Sequence, residues 1–144
     1  MGRKVLAVVV AMIAGVAIIF VGWMISTLFG FTTPKNLEYA TAQDISNYAR
    51  SLPASAYISG LVTYVVAAFA GGFIATKIGR RWSPGMSLAV IVGILLTGFA
   101  LLGSLSWPQP VWFIIAEIVL FVPISIFGYR LADHAFSAPR KPVA

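Results

Sequence analysis

The stretch VLAVVVAMIAGVAIIFVGWMISTLFGF, Val5 to Phe31, carries no charged residue. As a helix at ~1.5 Å per residue it is about 40 Å long, more than the ~30 Å hydrocarbon core of a bilayer. It therefore predicts a first membrane span over about 5–31 that tilts or projects beyond the lipid. A signal peptide is the competing reading, since Arg3 and Lys4 precede the run. The run is far longer than the roughly 7–15 residues of a signal-peptide core, and no small-x-small cleavage site followed by polar sequence ends it. An uncleaved helix is expected.

Working outward, three more apolar runs follow, at about 54–76, 87–105 and 111–129, the last interrupted only by Glu117. The predicted fold is an all-α integral membrane protein: a four-transmembrane-helix bundle, one membrane domain over 1–144. Composition agrees. Of 144 residues 60% are hydrophobic and 10% charged, against about 45–50% and 25% in soluble domains. Too few charged side chains remain to cover a soluble surface. With no cysteine and a single histidine, His134, thiol chemistry, iron–sulfur ligation and bis-histidine haem ligation within the chain are excluded. No cofactor and no metal are expected.

Four spans put both termini on one side. Eight of the ten basic residues (Arg3, Lys4, Lys77, Arg80, Arg81, Arg130, Arg140 and Lys141) fall on that side, against Lys35 and Arg50 on the other. The positive-inside rule then places both termini in the cytoplasm, for a multi-pass protein of a bacterial inner membrane. The net charge of +6 reads as attraction to anionic headgroups rather than to nucleic acid.

The connection from Thr32 to Pro53 is too long for a mere connector. Within it, Thr41-Ala-Gln-Asp44 has the form of a capping box, with Asp in place of the preferred Glu. Ile45, Tyr48, Ala49 and Leu52 follow at helical spacing, and Gln43, Ser46, Asn47 and Arg50 make the opposite face. A short amphipathic helix in the first extracytoplasmic loop is expected, as a surface connector or as a lid over a pocket. The basic turn Ile78–Gly85 carries Trp82 and Pro84. The turn Ser106-Trp107-Pro108-Gln109-Pro110 is tight, and its prolines stop one helix and begin the next. Such short linkers make their flanking spans antiparallel neighbours.

Small residues recur four apart: Ala67, Gly71 and Ala75, then Ala68, Gly72 and Thr76, on span two; Ala89, Gly93 and Thr97 on span three; Gly22, Ser26 and Gly30 on span one. They let helix backbones approach closely, within this bundle or against another subunit or a second copy.

Glu117 is the one ionisable residue inside a span, roughly 7–8 Å beyond Trp112. A carboxylate at that depth should face the interior, meet a partner or stay protonated. The candidate polar pocket is Glu117 with Tyr64, Thr63 and Ser26, and Pro123 two turns on should bend the helix. Two readings follow: a structural carboxyl, or a proton- or cation-responsive transport site. His134 and Asp133 are expected to begin a polar tail after span four. No phosphate loop, nucleophile elbow, pair of spaced carboxylates or HExxH is present, so no enzyme is expected.

The lysine-preceded first span, Leu52-Pro53, Gly71-Gly72-x-x-Ala75 before a basic turn, and a proline-rich turn into Trp112-Phe113, Glu117 and Pro123 together resemble a family of small bacterial four-span inner-membrane proteins of unknown function. In that family the fourth-span acid is more usually Asp. The resemblance implies an inner-membrane protein and carries no activity. The expected function is a non-enzymatic structural or accessory protein, with other membrane subunits or itself as partner; the alternative is a small oligomeric transporter or channel around Glu117.

Overall fold

The computed structural model describes residues 2–28, 41–79 and 86–136. Gly30, Lys35, the basic residues Arg80 and Arg81 with Trp82 and Pro84, and Arg140 and Lys141 lie outside the described residues. Five helices follow one another, α1 (Gly2–Leu28), α2 (Ala42–Ser51), α3 (Ala54–Gly79), α4 (Ser87–Ser106) and α5 (Val111–Phe136), with no strand among the described residues. All but α2 are long and apolar enough to cross a membrane.

Local signals set most of the boundaries. Thr41 caps α2 with a complete capping box: its hydroxyl accepts from the Asp44 amide (3.3 Å), and its own amide donates to the Asp44 carboxylate (2.9 Å). The shorter Asp side chain therefore serves where Glu is commoner. Pro53 ends α2, and Pro108 and Pro110 separate α4 from α5. α5 differs from expectation. It continues through Arg130, Asp133 and His134 to Phe136, so His134 lies on a helix rather than in a tail. No glycine or proline interrupts the chain between Arg130 and Phe136. Phe136 also packs edge-on against Phe73, with the Lys77 ammonium 5.3 Å from its ring centroid.

α3 is the central helix, touching α1, α4 and α5. Its two small-residue faces serve different neighbours. Gly71 lies against Val92 and Leu96 of α4 and the Ala11 carbonyl of α1, while Ala67 and Ala75 on the same face are fully buried. On the other face, Gly72 meets the Ser125 backbone of α5, and Gly128 of α5 meets the Phe69 carbonyl in return. On α4, Gly93 packs against Val122 and Ser125, and Ala89 is fully buried. Each missing side chain brings two backbones into van der Waals contact, the association that remains available where no hydrophobic effect drives helices together.

Two ends can be distinguished. At the end where α1 begins and α5 finishes, Ala7, Gly79 and Leu88 pack together around the core of Val92, Leu96 and Phe121. At the other end α2 lies across the bundle: the Tyr57 hydroxyl donates to the Ala49 carbonyl (2.6 Å), and Tyr48 meets the Trp107 ring edge-on. The buried residues of α1, Ala7, Ala11 and Gly15, all fall in its first half. Beyond them α1 keeps hold of α3 through Gly22 against Thr63, and a cleft opens between α1 and α4.

Candidate functional site

The helical period turns Glu117 inward. On α5 the buried positions are Phe113, Glu117, Phe121, Ser125, Gly128 and Ala132, spaced three or four apart, so Glu117 is carried on the face that packs against α3 and α4. It is 1% exposed. Tyr64 of α3 leans across it, with its ring 6.0 Å from that of Phe113 and 5.5 Å from that of Phe121, the residues one turn to either side of the acid.

A polar knot closes around this pair. Gln109, projecting from the turn between its two prolines, lies beside the Tyr64 hydroxyl, and its Oε1 accepts from Ser104 of α4 (2.9 Å). Ser104 also adjoins the Glu117 carboxyl. Its single proton is directed elsewhere, toward Gln109 and toward the Ala100 carbonyl (3.2 Å). Neither carboxyl oxygen of Glu117 has a partner of good hydrogen-bond geometry. The gap between Glu117, Leu61, Val65 and Ala68 is too narrow for a water molecule. An unpaired buried acid is among the most costly groups a protein interior holds.

On the other side of Tyr64 lies the cleft, a cavity of about 540 Å³. α1 contributes Val16, Ile19, Phe20 and Trp23; α3 contributes Tyr57, Gly60 and Tyr64; Phe99 and Phe113 complete the walls, and Tyr48, Leu52 and Trp107 stand at the α2 end. Among the described residues no Asp, Glu, Lys, Arg or His lines it. It is a mostly apolar, aromatic space with a few polar groups converging at one end, as small-molecule sites are.

Of the four residues expected to form one polar pocket, three line this cleft: Tyr64, Thr63 and Ser26. Glu117 does not. The Thr63 and Ser26 hydroxyls donate to carbonyls of their own helices, Ser59 and Gly22 (3.0 Å each), the back-bonding usual for hydroxyls in apolar helices. Of these four, Tyr64 alone borders both the cleft and the gap at Glu117, and Gln109 also borders the cleft. Ser104, which adjoins the acid, and Gln109, which joins Ser104 to Tyr64, come from α4 and its turn. Their signal in the sequence was faint: one amide between two prolines, and one serine near a helix end. A second, open cavity of about 460 Å³ lies between α2 and the α4–α5 turn, bordered by Ser46, Arg50 and Gln109. No group of three or more metal-ligating side chains occurs among the described residues.

Compared with protein-family models, with curated proteins and with solved structures, the chain finds no match in any of the three.

Proposed function

We propose that the chain is a non-enzymatic, structural or accessory multi-pass membrane protein, a four-helix bundle acting as a subunit or companion of other membrane components. The observation that carries this reading is the sealed half of the bundle. There the buried hydroxyls, Thr76 and Ser125, are satisfied by the carbonyls of Gly72 and Ala89 at 2.7 Å each. Small residues fill the remaining helix contacts. No ionisable side chain is buried in that half among the described residues, so a polar route from Glu117 to the far end has nothing to run along. The charge asymmetry supports a bacterial inner-membrane setting with both termini in the cytoplasm.

Extraction from native membranes in mild detergent, followed by identification of what co-purifies, tests this reading. A stable partner at fixed stoichiometry is the expected result. A chain that purifies alone, and that as a homo-oligomer carries ions in proteoliposomes, would replace it by the second reading, a small transporter or channel. The unpaired state of Glu117 favours that second reading, and Glu117→Gln would then abolish the flux.

A further inference from the structure

We infer that the aromatic cleft is a binding site for a lipophilic organic cation, with Glu117 behind Tyr64 as the counter-charge. The inference is independent of whether the chain moves its ligand across a bilayer. Three observations converge on it.

The cleft is the right size and is dressed for a cation. Its volume of about 540 Å³ falls within the ~300–1,000 Å³ of small-molecule pockets. Phe20, Trp23, Tyr57, Tyr64, Phe99 and Phe113 all border it. Aromatic faces carry the negative side of a quadrupole and attract cations from which water has been stripped. Among the described residues no lysine or arginine lies on the walls to compete for those faces.

Among the described residues the one carboxyl buried in the interior is Glu117. Neither of its oxygens has a partner of good hydrogen-bond geometry, and Tyr64 is its electrostatic neighbour. Tyr64 is also a wall of the cleft. A cation resting on the Tyr64 ring is therefore one side chain away from the carboxyl, in surroundings that screen charge far less than water does. It would supply the opposite charge that the described residues around Glu117 do not.

Charge complementarity favours a cation over the other classes. An anion would meet aromatic faces backed by an acid. A neutral apolar molecule could fill the cleft but would gain nothing from Glu117. Tyr48 and Leu52 of the α2 segment stand over the α2 end, where they would cover a bound ligand.

The test uses tetraphenylphosphonium as probe and the full chain in lipid nanodiscs, with empty discs subtracting partition into lipid. Triphenylphosphine oxide serves as the uncharged comparison. Binding is read by equilibrium dialysis and by quenching of tryptophan fluorescence, since Trp23 and Trp107 both border the cleft. Saturable binding of the cation at one site is expected, on the order of tenfold tighter than the neutral compound and weakened about tenfold by Glu117→Gln. Trp23→Leu should weaken the cation severalfold; this side chain is 57% exposed, so its loss leaves the fold intact. If Glu117→Gln does not purify as a folded species, the Trp23→Leu variant and the neutral compound carry the test alone. Equal binding of cation and neutral compound, undiminished binding by folded Glu117→Gln, or no saturable binding of the cation overturns the inference.

Discussion

Gly72 of α3 lies against the backbone carbonyl of Ser125 on α5, so closely that a Cβ on Gly72 would collide with it. The contact is backbone on backbone and cannot be relieved by turning a side chain. Ser125 is held in place from its other side by the hydrogen bond from its hydroxyl to the Ala89 carbonyl, so this point locks α3, α4 and α5 together.

A graded response to alanine follows. Gly72→Ala should lower stability by about 1–3 kcal/mol, the usual range for overpacking a filled interior. Gly71→Ala should be milder, because the nearest atom its Cβ would meet is the Val92 Cγ1 methyl at 2.9 Å, which can shift. Gly98 has open space around it, so Gly98→Ala should be neutral or stabilising by up to about 1 kcal/mol through helix propensity. Thermal unfolding of the three variants in one detergent checks the order, which reverses if α3 does not pack on α5 as described.

Replacing the buried acid by an apolar residue should help the fold. Neither Glu117 oxygen has a partner of good hydrogen-bond geometry, so Glu117→Leu removes a desolvation penalty of about 1–3 kcal/mol. The variant should unfold at a temperature equal to or above that of the wild type. A clear loss of stability would mean that the carboxyl has a partner in the folded protein.

α2 is tied to α3 by the Tyr57 hydroxyl on the Ala49 carbonyl. Tyr57→Phe keeps the ring contacts with Trp112 and Phe113 and deletes the tether. The expected result is faster tryptic cleavage after Arg50 with little change in the unfolding temperature. Unchanged cleavage would show that α2 is held by its apolar face.

Asp44 supplies a pH dependence confined to α2. Hydrogen bonds from the Thr41 side chain and then its backbone hold the Asp44 carboxyl below its ordinary value of 3.8. A depressed folded pKa means the capping contribution is present above the unfolded value and is lost as the pH falls through the folded one. The amide resonances of Thr41 and Asp44 should therefore titrate together below 3.8, and Asp44→Asn should flatten the response. Titration at or above the ordinary value would contradict the capping geometry.

Orientation is open to a direct check. A reporter active only in the cytoplasm should work when fused at the C-terminus and fail when inserted near Asn36. The opposite pattern would invert the placement of every loop.

What could be read directly from the residues was whatever depends on neighbours along the chain. Run length against bilayer thickness marks the four long helices, and prolines at 53, 108 and 110 mark breaks, because each acts on its own backbone. Thr41 and Asp44 announce the start of α2, since a capping box closes within one turn. The inward turn of Glu117 was legible too, because charge in an apolar helix has few places to go. The end of α5 was not: its final turns are polar in sequence but are anchored by Phe136 on Phe73 and Lys77, residues more than fifty positions away.

The neighbourhood of Glu117 belonged wholly to the tertiary structure. Depth along a helix can be counted from the sequence, but rotation about its axis relative to three other helices cannot. Thr63 and Ser26 sit at a suitable depth and yet face the cleft and their own carbonyls, while Ser104 arrives beside the acid from α4, held by Gln109 of the turn. That rotation is set by glycines at 71, 72, 93 and 128 finding the backbones they can touch. Close packing of this kind is a property of pairs of surfaces, and no single helix contains it.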